Sequence, residues 1–237
     1  MTSATETPSQ NDERIDQFAR FVELIKTWLL DFEINAQLFV EIMNDEQLPL
    51  SARALAVGVL LYLRAPRDII SENVKVLKLI GLVDDVIVMI IGLSVIVPQM
   101  PEPRLAYYKQ KYKAVTRISD YEEILKSALG LLWERLVRFV ENLRQRKYKE
   151  TSAESVAQSP DLREDLFDET MIFVADLNLD PVTLDKELQL LPAPEKVVGL
   201  LASGLAEDQE RVEQGSKDDD ARSALGRLLH PGKGSTD

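Results

Sequence analysis

The 237-residue chain contains no cysteine and a single histidine, His230. Without thiols there is no disulfide framework, no thiolate metal site and no thiol nucleophile. The one imidazole, His230, lies close to the C-terminal end of the sequence, so histidine-based catalytic sets are not expected. The opening stretch, MTSATETPSQNDE, lacks a basic n-region and an apolar core, so it does not read as a secretory signal. Residues 1–11 are expected to form a disordered arm. No internal repeat and no run of alternating strand pattern is present. The glycines between Gly226 and Ser235 lack the spacing of a phosphate loop.

What is present is apolar residue and charge. Hydrophobic residues make up 45% and charged residues 29% of the chain, within the globular range. The net charge of −12 is unevenly placed. Residues 1–103 carry 8 basic and 15 acidic groups, residues 104–149 carry 12 and 5, and residues 150–237 carry 8 and 20. A basic block between acidic flanks suggests either an anionic partner or the chain's own acidic region.

The apolar pattern is helical. From Asp12 to about Asn44, residues Ile15, Phe18, Val22, Ile25, Leu29, Leu38 and Ile42 recur at steps that keep side chains on one face. A kink or break is expected near Asn35. Ser51 offers an N-cap for residues 52–63, which are apolar all round apart from Arg53. Pro66 closes that helix and Gly81 breaks the short amphipathic piece that follows. A second apolar run, residues 86–97, ends at Pro98. Residues 119–122, Ser-Asp-Tyr-Glu, match a capping box for a helix running to about Lys149, with Arg135, Arg138, Arg144 and Arg146 opposite its apolar stripe. Residues 152–160 read as a linker and residues 161–179 as an acidic amphipathic helix. Residues 195–213 read as another short helix, and residues 217–237 as disordered apart from a turn at 224–229.

Two readings of the apolar pair remain open, a buried core hairpin and a monotopic or re-entrant membrane hairpin. Residues 79–97 hold thirteen Leu, Ile or Val, which favour insertion by roughly 5 kcal/mol, while Asp84 and Asp85 each oppose it by up to roughly 3 kcal/mol. The uninterrupted part, residues 86–97, reaches only about 18 Å against a hydrocarbon core of about 30 Å.

Between residues 48 and 97 the order of short motifs is distinctive. An apolar helix ends in Tyr62, a Pro-x-Asp step follows at Pro66 and Asp68 with Ile70 behind it, and Gly81-x-x-Asp84-Asp85 leads into the second apolar helix. Over residues 35–97 this resembles the YkvA-like family, a bacterial domain of unknown function with relatives in plants that is often described as membrane-associated. The chain departs from the family where residues 71–78 replace its Pro-Asp-x-Ile-Pro turn, with about three extra residues between Asp68 and Gly81. The resemblance implies two paired apolar helices and carries no particular activity.

Asp68, Asp84 and Asp85 are the carboxylates embedded in this apolar region. They read either as helix caps, meeting free amides and the positive end of a dipole, or as a divalent-metal or acid–base cluster. Arg64 and Arg67 either pair with Asp84 and Asp85 or meet lipid phosphates. Arg135 and Arg138 are the candidates for lipid or partner contact on the basic helix, which otherwise reads as a solvated face.

The expected fold is an all-α bundle. A first long helix packs on the hairpin of residues 52–63 and 86–97, residues 121–143 cover its remaining face, and the acidic region beyond residue 150 is an appendage. The expected role is a non-enzymatic interaction module, cytoplasmic and peripheral to a membrane, docking by the hairpin with help from the basic helix. Its expected partners are an anionic membrane surface and, through the acidic tail, a protein. Nucleic acid and cofactors are not expected. The alternatives are a divalent-metal-dependent enzyme using Asp68, Asp84 and Asp85, and a soluble helical scaffold.

Overall fold

The structure, a computed structural model, describes residues 10–64, 80–177, 179–189 and 196–206. It is an all-α bundle. Helix α1 (Gln10–Leu30) turns at Asp31 into α2 (Phe32–Asn44), and α3 (Leu50–Leu63) follows. Helix α4 (Ile80–Ile96) passes through a 3-10 turn (Val97–Gln99) into α5 (Glu102–Lys111), α6 (Lys113–Thr116) and α7 (Ile118–Leu129). After a 3-10 elbow (Gly130–Leu132) come α8 (Trp133–Asn142), a second 3-10 turn (Leu143–Gln145) and a small hairpin of Lys147–Tyr148 with Thr151–Ser152. Helices α9 (Ala153–Gln158), α10 (Pro160–Leu177), α11 (Pro181–Leu188) and α12 (Lys196–Ala206) complete the described chain.

Helices α3 and α4 lie at the centre because neither has a polar face to turn outward. Helix α3 packs against α2, α4 and α9 and against the Leu143–Gln145 turn, while α4 packs against α1, α3, α7 and α8. Every residue from 83 to 93 is buried. Burying a Leu, Ile or Val side chain contributes about 1.5–3 kcal/mol, so the pair supplies the largest block of cohesion in the molecule. The outer helices contribute single stripes: Phe21, Leu24, Ile25 and Trp28 from α1, and Ile118, Tyr121, Leu125 and Leu129 from α7. Among the described residues one segment, Leu82–Gln99, is long and apolar enough to cross a membrane, and 67% of it is buried inside the protein.

Helix α3 also meets the Leu143–Gln145 turn at the level of the backbone. A Cβ placed on Gly58 of α3 would stand 2.4 Å from the carbonyl oxygen of Leu143, so only glycine allows this approach.

Several sequence expectations change. The long first helix breaks at Asp31, four residues before Asn35. Ser51 is not a cap: Pro49 holds that position, and the Ser51 hydroxyl reaches Gln99 Oε1 at 2.7 Å. The Ser119–Glu122 capping box does not form, because α7 already starts at Ile118 with Arg117 at its cap. The helix expected to reach Lys149 is cut at Gly130, which takes φ of +53°, a conformation glycine adopts without a Cβ penalty. It stops at Asn142, and Lys149 and Glu150 take the positive φ that a tight two-residue hairpin demands.

The acidic region is not an appendage in its described part. The expected linker contains α9, capped by Ser152, whose Oγ accepts from the Ser155 amide at 3.2 Å. Helix α9 packs on α3, α10 packs on α2 and α9, and α11 packs on α1. Arg53, the one polar interruption of α3, explains part of this. Its guanidinium donates to the carbonyl of Ala157 near the end of α9, and Arg163 of α10 donates to the same oxygen at 3.0 Å. Cations at the carbonyl end of a helix are stabilised by its dipole. The expected disorder at residues 1–9 and 217–237, and the turn at 224–229, lie outside the described residues.

Candidate functional site

The sequence-nominated residues meet at one end of the central helix pair. Tyr62 sits in the last turn of α3, and Asp84 and Asp85 sit in the second turn of α4. The Tyr62 hydroxyl donates to Asp84 Oδ2 at 2.7 Å. The Tyr62 ring meets Phe139 edge-on at 5.8 Å between centroids, and the Arg146 guanidinium lies over it at 5.1 Å. Asp84 is 0% exposed and Asp85 2%. Tyr62, Asp84, Asp85 and Arg146 each make a further contact beyond these.

Helix capping by Asp84 and Asp85 is overturned. The helix starts at Ile80, so both carboxylates lie inside it, and Gly81 belongs to its first turn rather than breaking the chain. Arg64 does not close on the two aspartates: it pairs with Glu169 of α10 and lies 5.8 Å from the Tyr148 ring. Pro66, Arg67 and Asp68 lie outside the described residues. Among the described residues no group of three or more His, Cys, Asp or Glu is placed to hold a metal ion.

A second polar cluster, which sequence reasoning missed, joins α2 to α5 and α6. Glu41 accepts from Tyr107 at 2.5 Å, Tyr112 at 2.5 Å and Lys111 at 2.7 Å. One turn on, Asp45 accepts from Arg104 at 2.6 Å and Tyr108 at 3.1 Å. The Arg104 guanidinium stacks over Tyr107 at 4.5 Å. Burial pushes the Glu41 carboxyl up, but the hydrogen bonds from Lys111, Tyr107 and Tyr112 outweigh it and hold the group below its ordinary value. Burial and the bond to Glu41 push the Tyr112 phenol up to about 12. The available signal was spacing. Glu41 and Asp45 are four apart on α2, and Arg104, Tyr108 and Lys111 recur at four and three on α5, so each row occupies one helix face.

Part of the basic block is neutralised within the chain. Arg104 and Lys111 face α2, while Lys149 pairs with Asp165 of α10 at 2.6 Å. Helix α8 differs. Trp133, Leu136 and Val140 face the core, and the opposite face carries Arg135 and Arg138. Neither arginine pairs with a carboxylate among the described residues; Arg138 Nε donates to the Glu134 carbonyl at 3.2 Å. At the head of this face, on the Gly130–Leu132 elbow, Leu131 is 97% exposed.

The hairpin has no comparable free face, because α1, α2, α7, α8 and α9 cover it. No family model, no curated protein and no solved structure matches the chain.

Proposed function

We propose that the chain is a non-enzymatic, YkvA-like interaction module that works in the cytoplasm at the surface of an anionic membrane, with α8 and its elbow as the docking element. The observation that carries this reading is Leu131, 97% exposed on the elbow that leads into α8, four and seven residues before Arg135 and Arg138. Positions 131, 135 and 138 share one face of a helical turn. An apolar tip with cations behind it matches an interface where the side chain enters the acyl boundary and the guanidinium groups meet phosphates. Each basic residue near an anionic surface contributes about 1 kcal/mol. In this reading the buried α3–α4 pair is the scaffold rather than the docking element. The acidic region answers other cations, Arg64 through Glu169 and Lys149 through Asp165, and leaves Arg135 and Arg138 unpaired with carboxylates among the described residues.

Vesicle flotation tests the proposal. The full chain floats with phosphatidylserine-containing liposomes and not with neutral ones. Leu131→Asp, and separately Arg135→Glu with Arg138→Glu, abolish flotation without moving the melting temperature. Equal behaviour on both vesicle types, or flotation untouched by these changes, removes the membrane role. Monodisperse protein with no lipid binding then favours the soluble scaffold.

A second reading, a divalent-metal-dependent enzyme, draws on one observation. Asp84 and Asp85 are both buried at the end of the helix pair that leads toward Asp68, and hard cations select carboxylate oxygens. Calorimetry with Mg²⁺, Mn²⁺ and Ca²⁺ decides it: no heat and no rise in melting temperature discards the metal.

A further inference from the structure

Helices α1 and α7 are packed together along their length, yet a groove of about 650 Å³ remains open where their outer faces diverge, with a second hollow continuing it. Ile124 is the one apolar side chain lining the larger hollow, and the apolar floor, from Ala19 and Leu24 on one side and Ile124 on the other, belongs to the second. The rim carries charge of both signs, and the balance is negative. Arg20 is already paired with Asp16 at 3.0 Å and Arg117 with Asp120 at 3.6 Å. Glu23 and Glu123, which also line the groove, make no ion pair among the described residues. An empty trough with an apolar floor and two unanswered carboxylates asks for an amphipathic, basic segment.

The chain contains such a segment. Within its acidic final third, residues 221–233 carry Arg222, Arg227 and Lys233 and no acidic residue. Leu225, Leu228 and Leu229 stand at i, i+3 and i+4, the spacing of one helical face. The described chain ends with α12 at Ala206, and residues 207–220 link it to this segment. That link spans up to roughly 45 Å when extended, and it starts one element after α11, which packs on α1 with Asp185 paired to Lys26. Tethering also holds the segment at a local concentration near the millimolar range, so a weak site is enough to capture it.

We infer that the α1–α7 groove is the docking site for this chain's own residues 221–230, with Leu225, Leu228 and Leu229 on the Ala19–Leu24–Ile124 floor and Arg222 and Arg227 answering Glu23 and Glu123. The groove ends near Ser127, one turn before the Gly130–Leu132 elbow, so a docked segment sits beside the proposed membrane-facing tip.

The absence of cysteine makes the test direct. In the full chain, Ser127→Cys in the groove is combined with Ser223→Cys in the segment. A control pairs Ser223→Cys with Glu154→Cys on α9, exposed on a helix that packs against α3 rather than α1 or α7. Under mild oxidation the groove pair forms an intramolecular disulfide at least ~10-fold faster than the control. Adding Leu225→Asp with Leu228→Asp brings the rate down to the control. Equal rates for the two pairs, insensitivity to the leucine changes, or disulfides formed only between two molecules would each overturn the inference. The last outcome would instead assign the groove to a segment from another copy.

Discussion

Two of the tyrosine–carboxylate clusters among the described residues use the same chemical groups at different depths. Inside, the Tyr62 hydroxyl meets Asp84 between two helices that have no polar face of their own. At the rim, three tyrosines, a lysine and an arginine converge on Glu41 and Asp45 along the seam between α2 and α5. The inner pair is fully buried, so a polar group that loses its bond there bears the full cost of desolvation. The outer cluster has many partners and solvent within reach, so its bonds back one another up. Depth, rather than the inventory of bonds, sets how much one member matters.

The largest effect is expected inside. Asp84→Ala leaves the Tyr62 hydroxyl buried without its acceptor and opens a void, and is expected to lower stability by about 3 kcal/mol, read as a fall in the denaturant midpoint at unchanged slope. A loss below that of the rim variants would reverse the comparison.

The intermediate effect belongs to Glu41. Glu41→Gln keeps the shape and removes the charge that three donors share, and is expected to lower stability by about 2 kcal/mol at pH 7. Its pH dependence sharpens the point. The folded-state pKa of Glu41 lies below the ordinary 4.5, so its stabilisation is fully present above that value and is lost as pH falls through the depressed folded value. The wild-type stability curve therefore drops more steeply than that of Glu41→Gln below about pH 4.5. Parallel curves would mean that the charge on Glu41 contributes nothing to the seam.

Smallest is Tyr107→Phe. Tyr107 is 38% exposed, and Glu41 keeps Lys111 and Tyr112, so a loss of about 0.5 kcal/mol is expected by the same unfolding assay. A loss as large as that of Glu41→Gln would show the outer network to be a single unit rather than a set of substitutes.

The inner cluster was visible in the sequence because its members interrupt apolar runs. An aspartate pair amid Val, Ile and Leu, or a lone Arg53 in a helix otherwise without charge, stands out against its background. What the string of residues concealed was the role. Asp84 and Asp85 precede an uninterrupted apolar run, which is where a cap belongs; the helix already runs at Ile80, and Leu82 and Val83 ahead of the aspartates pack on the core. The outer cluster was hidden for a different reason. Tyr107 and Tyr112 meet Glu41 across 66 and 71 residues of chain, and local periodicity holds no record of a partner that far away. The same distance effect turned the acidic region from appendage into wall, since the contact of Arg53 with Ala157 spans 104 residues. By contrast α2, α3, α4 and α10 were readable because each depends only on its own apolar spacing and on the prolines nearby.

The bare backbone at Gly58 has a consequence for how the bundle can evolve. At Gly92 the nearest atom is a side-chain methyl of the buried Val59, at 2.8 Å from a Cβ placed there. At Gly58 the obstacle is the main chain of Leu143 itself, which has no rotamer to yield. Any lineage that keeps this arrangement inherits one invariant letter there, while drift proceeds freely around it.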